Sequence, residues 1–235
     1  MRIATITDLH YSLTMNVLCP DRAGEKASEL LESALESIAR IGADVLLVGG
    51  DLVNDPKDTV LLDRLAKIIA NAPCPFIVIP GNHDPAPDEF YRHFQKPAEH
   101  LDVNGIRIIP FPEDEQTEGY NARRSAESLE RQRRLSNAGL PCVSFQHVPL
   151  YPKGSVNSPY HYDNADEIYA NCGPKMSLAI SGHDHCGRMP SFHPPFPSII
   201  VPALCQKNFP FAVIELDDKG NLLSYRLHYC GVLIV

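Results

Sequence analysis

Phe76-Ile77-Val78-Ile79-Pro80-Gly81-Asn82-His83-Asp84 is an apolar run that stops on Pro-Gly and opens into an amide, an imidazole and a carboxylate. Short apolar runs bounded by Gly or Pro read as buried strands. Four more stretches repeat the arrangement. Residues 3–6 end in Thr7-Asp8-Leu9-His10, and residues 45–48 in Gly49-Gly50-Asp51. Residues 143–145 lead into Gln146-His147, and residues 178–180 into Ser181-Gly182-His183-Asp184-His185. Polar groups thus gather at the carboxyl ends of several strands, where open α/β sheets place their ligands. Glycines ahead of Asp51, Asn82 and His183 permit tight turns and close backbone approach to an ion.

Taken singly these motifs have ordinary explanations. A D-x-H is a frequent cap, a G-D is turn chemistry, and His147 alone would suit a hydrogen-bonded core histidine. G-N-H-D and G-H-D-H are harder to explain structurally, because clustered His and Asp at a strand end have few structural uses. In this order, Asp8, His10, Asp51, Asn82, His147, His183 and His185 form a complete ligand list for two adjacent metal ions.

On these residues the chain resembles the calcineurin-like metallophosphoesterases, a superfamily that includes purple acid phosphatases, protein serine/threonine phosphatases, DNA-end nucleases and class III cyclic-nucleotide phosphodiesterases. The resemblance spans residues 3–185 and lacks no motif position. It implies an α/β (α+β) fold of four layers, a central β-sandwich of two mixed sheets flanked by helices, with a binuclear site at the strand ends. It also implies that residues 198–205, 211–216 and 222–229 are the C-terminal strands of the second sheet. The first ion would take Asp8, His10 and His185, the second Asn82, His147 and His183, and Asp51 would bridge both. His83 matches the family's uncoordinated histidine facing the leaving group, with Asp84 placed to orient and charge-stabilise it. The tyrosine ligand of purple acid phosphatases has no counterpart, since Asp51-Leu52-Val53-Asn54-Asp55 stands in its place and Tyr11 lies elsewhere.

Mixed carboxylate, amide and imidazole donors suit two divalent transition ions such as Mn, Fe, Zn, Co or Ni, and the sequence does not choose among them. The implied reaction is hydrolysis of a phosphate ester by metal-bound hydroxide, with His83 assisting departure of the leaving group. A phosphodiester such as a cyclic nucleotide is the expected substrate. Phosphomonoesters and nucleotide pyrophosphates are the alternatives, ahead of a nuclease or a non-catalytic scaffold. No glycine cradle of the Walker or dinucleotide type occurs.

Composition agrees with an enzyme acting on a small molecule. The 235 residues are read as one catalytic domain, and 44% hydrophobic residues provide a large core. A net charge of −8 argues against a general nucleic-acid binder. Entry into the first strand straight after Met1 suggests no signal peptide, no apolar run reaches membrane-spanning length, and the expected location is cytoplasmic. Seven cysteines without C-x-x-C spacing read as reduced, scattered thiols, and Cys186, beside His185, as a packed small hydrophobe rather than a group facing the site.

Residues 23–41 and 59–70 carry apolar stripes at helical spacing and read as core-facing crossover helices. Residues 121–138, with Arg123, Arg124, Arg131, Arg133 and Arg134 among acidic neighbours, read as a solvated helix. Specificity is assigned to loops at 85–104, 149–175 and 186–197, where Tyr151, Tyr160, His161, Arg188 and His193 could line a pocket. Arg188 is the candidate phosphate contact, because a guanidinium fork suits phosphoryl oxygens.

Overall fold

The computed structural model describes residues 1–16, 19–137, 139–156, 158–193 and 195–231, without the side chains of Phe192 and His193. Among these residues two large sheets are stacked. In the first, the parallel strands β1 (Arg2–Ile6), β2 (Val45–Val48) and β3 (Phe76–Val78) lie beside the antiparallel pair β12 (Pro210–Leu216) and β13 (Leu222–Tyr229). In the second, parallel β5 (Ile106–Pro110), β8 (Cys142–Phe145), β9 (Met176–Ser181) and β11 (Phe196–Ile200) carry an antiparallel strand at each edge, β4 (Leu101–Val103) and β10 (Arg188–His193). A hairpin of β6 (Glu115–Thr117) and β7 (Asn121–Arg123) stands apart.

Period-two alternation explains the sandwich. Ile3, Val45, Leu47 and Ile77 point inward from one sheet, Ile108, Val143, Phe145, Leu178 and Ile180 from the other, and together they fill the space between. Each such side chain contributes about 1.5–3 kcal/mol through burial. The outward residues Ala4, Ile6, Leu46 and Val48 pack under α1 (Ala27–Ile41) and α2 (Thr59–Ile69). On the far side Ile109, Cys142 and Ala179 pack under α4 (Ala126–Ser136) and α5 (Ala165–Ala170). These are the four layers that the resemblance implies. Helix α1 stops at Gly42, whose φ of 69° lets its N–H return to the carbonyls of Ile38 and Ala39.

The structure corrects several sequence readings. The three C-terminal runs do not share one sheet: β11 joins the second, while β12 and β13 pair with β1 in the first. Strand β11 also ends at Ile200, not at residue 205, because the backbone beyond it turns to the loops of the other strands. There Ala203 donates to the His185 carbonyl, Leu204 to that of Thr7 and Cys205 to that of Asp8. The helix expected over 121–138 shortens to α4, capped by the Ser125 hydroxyl, and β7 takes its first residues; Ala138 lies outside the described residues. Arg124 is not solvated. Its guanidinium is fully buried 3.4 Å from the Phe111 ring centroid, bonded to Asp114 and Gln132. The expected loops contain α3 (Pro87–Phe90), β4, α5 and β10, and within them Asn157 and Pro194 lie outside the described residues. No helix among the described residues is long and apolar enough to cross a membrane.

Candidate metal centre

Because β1, β2 and β3 run parallel, as do β8 and β9, their following turns converge on one edge of the sandwich. Backbone bonds tie the turns together: Asp8 donates to the Gly50 carbonyl, His10 to that of Asp51, and Gly182 to that of His147. At this seam Asp8, His10, Asp51 and His183 all take left-handed conformations, with φ of 55°, 45°, 51° and 68°. Such a φ in a non-glycine residue costs about 1–3 kcal/mol and persists where function holds it. Four of the expected ligands therefore sit on strained backbone.

The ligating atoms fall into two groups that share a member, Asp8, His10, Asp51 and His185 in one and Asp51, His147 and His183 in the other, each with its atoms within 4.8 Å of one another. One Asp51 oxygen lies 3.5 Å from Nε2 of His10, the other 3.4 Å from Nε2 of His147. The Asn82 Oδ1 lies 3.1 Å from the same His147 nitrogen. Nε2 of His10 and of His185 face each other at 2.9 Å, and Nδ1 of His183 faces Nε2 of His147 at 3.2 Å. Nδ1 of His147 meets the Gly49 carbonyl, which can only accept, so a proton sits on Nδ1 and Nε2 is the nitrogen left facing the other ligands. Asp8 Oδ2 accepts from Thr7 and from the His183 N–H, while its fully buried Oδ1 makes no hydrogen bond and has Nε2 of His185 3.5 Å away. A buried carboxylate oxygen without a donor is costly unless a cation answers it. The donor set and this orphaned oxygen fit a pair of borderline divalent ions.

The electrostatics agree. Burial would raise Asp8 and Asp51, but the surrounding histidines overcome it, taking Asp8 down to about 2 and holding Asp51 well below the usual carboxylate range. Burial lowers His10 to about 3 and His183 to about 4, so both are neutral and free to ligate. For His147 burial is outweighed by the Asp51 carboxylate, and it is pushed up to about 9.

Other assignments change. Asp84 does not orient His83. One of its oxygens accepts the Leu52 and Val53 N–H groups and the other accepts that of Gly81, so it latches the turn after β2 to the turn after β3. Burial, then the Asp51 charge, push its pKa up to about 7. Nδ1 of His83 instead meets the Asn54 carbonyl at 3.0 Å, and its backbone N–H donates to Asp51 at 2.8 Å. Arg188 gives Nε and Nη2 to Asp184, so a phosphoryl contact would fall to its remaining Nη1. Cys186 is exposed, which overturns its reading as a packed hydrophobe. Tyr160 does reach the site, its ring centroid 4.1 Å from that of His183, whereas the Tyr151 hydroxyl pairs with Ser191 and His161 lies against Asp163. A cavity of about 510 Å³ opens beside Asn82 and His147, lined also by Pro85, Phe111, Glu115 and Tyr162.

Gly50, like Gly81 and Gly182, leaves no room for a side chain in the seam. Its φ is 92°, and a Cβ there would lie 2.6 Å from the Gly81 nitrogen and 2.8 Å from Nδ1 of His147. Gly50→Ala is expected to cost about 1–3 kcal/mol of stability and to reduce metal content. Thermal melting and elemental analysis would measure both, and an unchanged variant would show that the turn has slack the geometry denies.

Comparisons with known proteins follow the same line. A dimetal phosphatase of Danio rerio superposes with a TM-score of 0.77 over 98% of this chain and 99% of its own, at 13% identity. The anchor in the inner membrane complex of Plasmodium superposes at 0.54 over 99% and 89%, at 12% identity. At such identities the likeness is one of fold. A probable cyclic nucleotide phosphodiesterase of Pseudoalteromonas sp. (strain SM9913) is 38% identical over 90 residues, 36% of this chain and 31% of that one. The chain thus matches about a third of the length of that curated relative. The model of the calcineurin-like phosphoesterases matches residues 1–187, and the chain belongs to that family.

Proposed function

We propose that the chain is a metal-dependent phosphoesterase that hydrolyses a small phosphodiester, with a cyclic nucleotide the leading class. The observation that carries the reading is the pair of ligand groups meeting at one carboxylate, Asp51, beside an orphaned oxygen of Asp8. Asp8, His10 and His185 would hold one ion, Asn82, His147 and His183 the other, and Asp51 both. When bound there, the two ions would supply Lewis acidity toward the phosphate and an activated water. The protein's own groups do the rest. With its Nδ1 proton fixed on the Asn54 carbonyl, His83 has Nε2 left to carry a proton to the departing oxygen. The cavity beside Asn82 and His147 has room for the organic half of the ester. The phosphodiester preference draws on the Pseudoalteromonas relative's name, and phosphomonoesters and nucleotide pyrophosphates are the alternatives.

The test is a screen of metal-reconstituted protein against cyclic nucleotides, nucleoside monophosphates, dinucleotide polyphosphates and single-stranded DNA, with an aryl phosphodiester as reference. Two ions should bind per chain and hydrolysis should need them. A single tight site, or activity that survives exhaustive chelation, would refute the reading.

Ligation also has a proton signature. His147 carries a proton at neutral pH when its pKa is about 9, and that proton must leave before Nε2 can bind an ion. Metal affinity should therefore rise with pH until about 9. Calorimetry at pH 7 in buffers of different ionisation enthalpy should register the released proton, and a heat independent of the buffer would contradict the assignment of His147.

A further inference from the structure

We propose that Arg22, which no motif contains, is the phosphate-binding arginine of the site and takes a non-bridging oxygen of the substrate phosphate. The inference rests on the phosphoesterase reading and adds a residue to it. Arg22 approaches from the segment between β1 and α1, and its Nη1 lies 3.4 Å from Nδ1 of His10. Among the described residues no carboxylate is within ion-pair distance of it, whereas the guanidinium of Arg188 is held by Asp184. Nor does His10 satisfy it. A histidine that ligates through Nε2 keeps its proton on Nδ1, and an N–H facing a guanidinium is no hydrogen bond. What remains is a half-buried cation beside a centre built for two more, placed to meet an incoming anion.

The backbone holds this cation in position. The Arg22 N–H donates to the Cys19 carbonyl, Ala23 donates to Cys205, and Ser12 donates to Gly24. The segment is thereby fixed both to the turn after β1 and to the stretch after β11, so little ordering is left to occur on binding. The Arg22 charge is also felt at Tyr160: burial raises that hydroxyl's pKa, and the Arg22 charge acts against the rise. Tyr160 in turn stands against His183. Arg22 thus stands against His10 of one ligand group and Tyr160 against His183 of the other, and a guanidinium fork suits the phosphoryl oxygens that would reach the metal centre there.

The experiment is calorimetric titration of inorganic phosphate into metal-loaded wild type, Arg22→Ala and Arg22→Lys, with metal content measured in parallel. Wild type should bind phosphate and both variants should keep two ions. Arg22→Ala should bind about ten- to a hundredfold more weakly, the range of a lost charge-assisted hydrogen bond. Arg22→Lys should recover part of the loss, and free guanidinium should restore phosphate binding to Arg22→Ala. Equal phosphate affinity in wild type and Arg22→Ala would overturn the inference while leaving the phosphoesterase reading intact. Loss of an ion from Arg22→Ala would overturn it too, assigning Arg22 to the support of His10. A wild type that takes up two ions yet neither binds phosphate nor hydrolyses any ester would bring down both readings.

Discussion

Replacing Asp51 with asparagine is expected to empty both ion positions at once and to lower hydrolysis by about 10³-fold or more. The expectation follows from the geometry of one carboxylate. Its two oxygens lie 3.4 and 3.5 Å from ligand nitrogens of opposite groups, His147 and His10. Asparagine keeps the shape but exchanges one oxygen for an N–H donor and removes the negative charge, so it can serve one cation at most. Two ions are worth several kcal/mol of transition-state stabilisation, and about 4 kcal/mol is about 10³ in rate. The comparison that gives the result meaning is His10→Ala. His10 faces only the first group, so its loss should weaken one position and leave the other. Metal stoichiometry of the two variants, at matched melting temperature, is the measurement. Equal depletion by both would mean that Asp51 does not bridge.

Much of this site could be read directly from the sequence, for a physical reason. The turns after β1, β2, β3, β8 and β9 follow apolar strands that had to be buried, so the polar residues at their ends had to converge once those strands ran parallel. The sandwich and its flanking layers were implied by the family resemblance, whereas apolar spacing by itself gave only the strand runs and the helices α1 and α2. What escaped the sequence was whatever depends on partners far along the chain. The run from residue 198 to 205 is apolar after Ser198, yet only its first part bonds in a ladder, because the carbonyls of Thr7, Asp8 and His185 recruit the remainder. Arg124 belongs to a mixed-charge stretch that looks solvated, and only Asp114, Gln132 and the Phe111 face explain its burial. Asp84, adjacent to His83, seemed placed to orient it, but three backbone N–H groups claim its oxygens. Arg22 carried no signal at all. It lies in a segment without periodicity, and its closeness to His10 arises from hydrogen bonds of the stretch to Cys205 and Ser12.

His83→Ala should separate chemistry from metal binding. The imidazole is T-shaped against His10, with ring centroids 4.7 Å apart, yet His83 falls in neither ligand group. Its Nδ1 is committed to the Asn54 carbonyl, which leaves Nε2 as the nitrogen able to hold a proton near the reacting phosphate. The backbone N–H of His83 donates to Asp51, and that bond survives truncation of the side chain. Both ions should therefore stay, while kcat falls by about 10²- to 10⁴-fold, the range for removal of a positioned acid. The size of the loss should follow the leaving group. An alkoxide needs a proton as it departs, whereas a nitrophenolate leaves with little assistance, so the penalty on a nucleoside or alkyl phosphodiester should greatly exceed that on a nitrophenyl ester. Asn54 offers an internal check: because its contact is made by the backbone carbonyl, Asn54→Ala should retain the His83 orientation and most of the rate. If His83→Ala slows both substrates equally, or sheds an ion, then His83 acts as a ligand or a support, and the acid must be sought among the other groups at the opening.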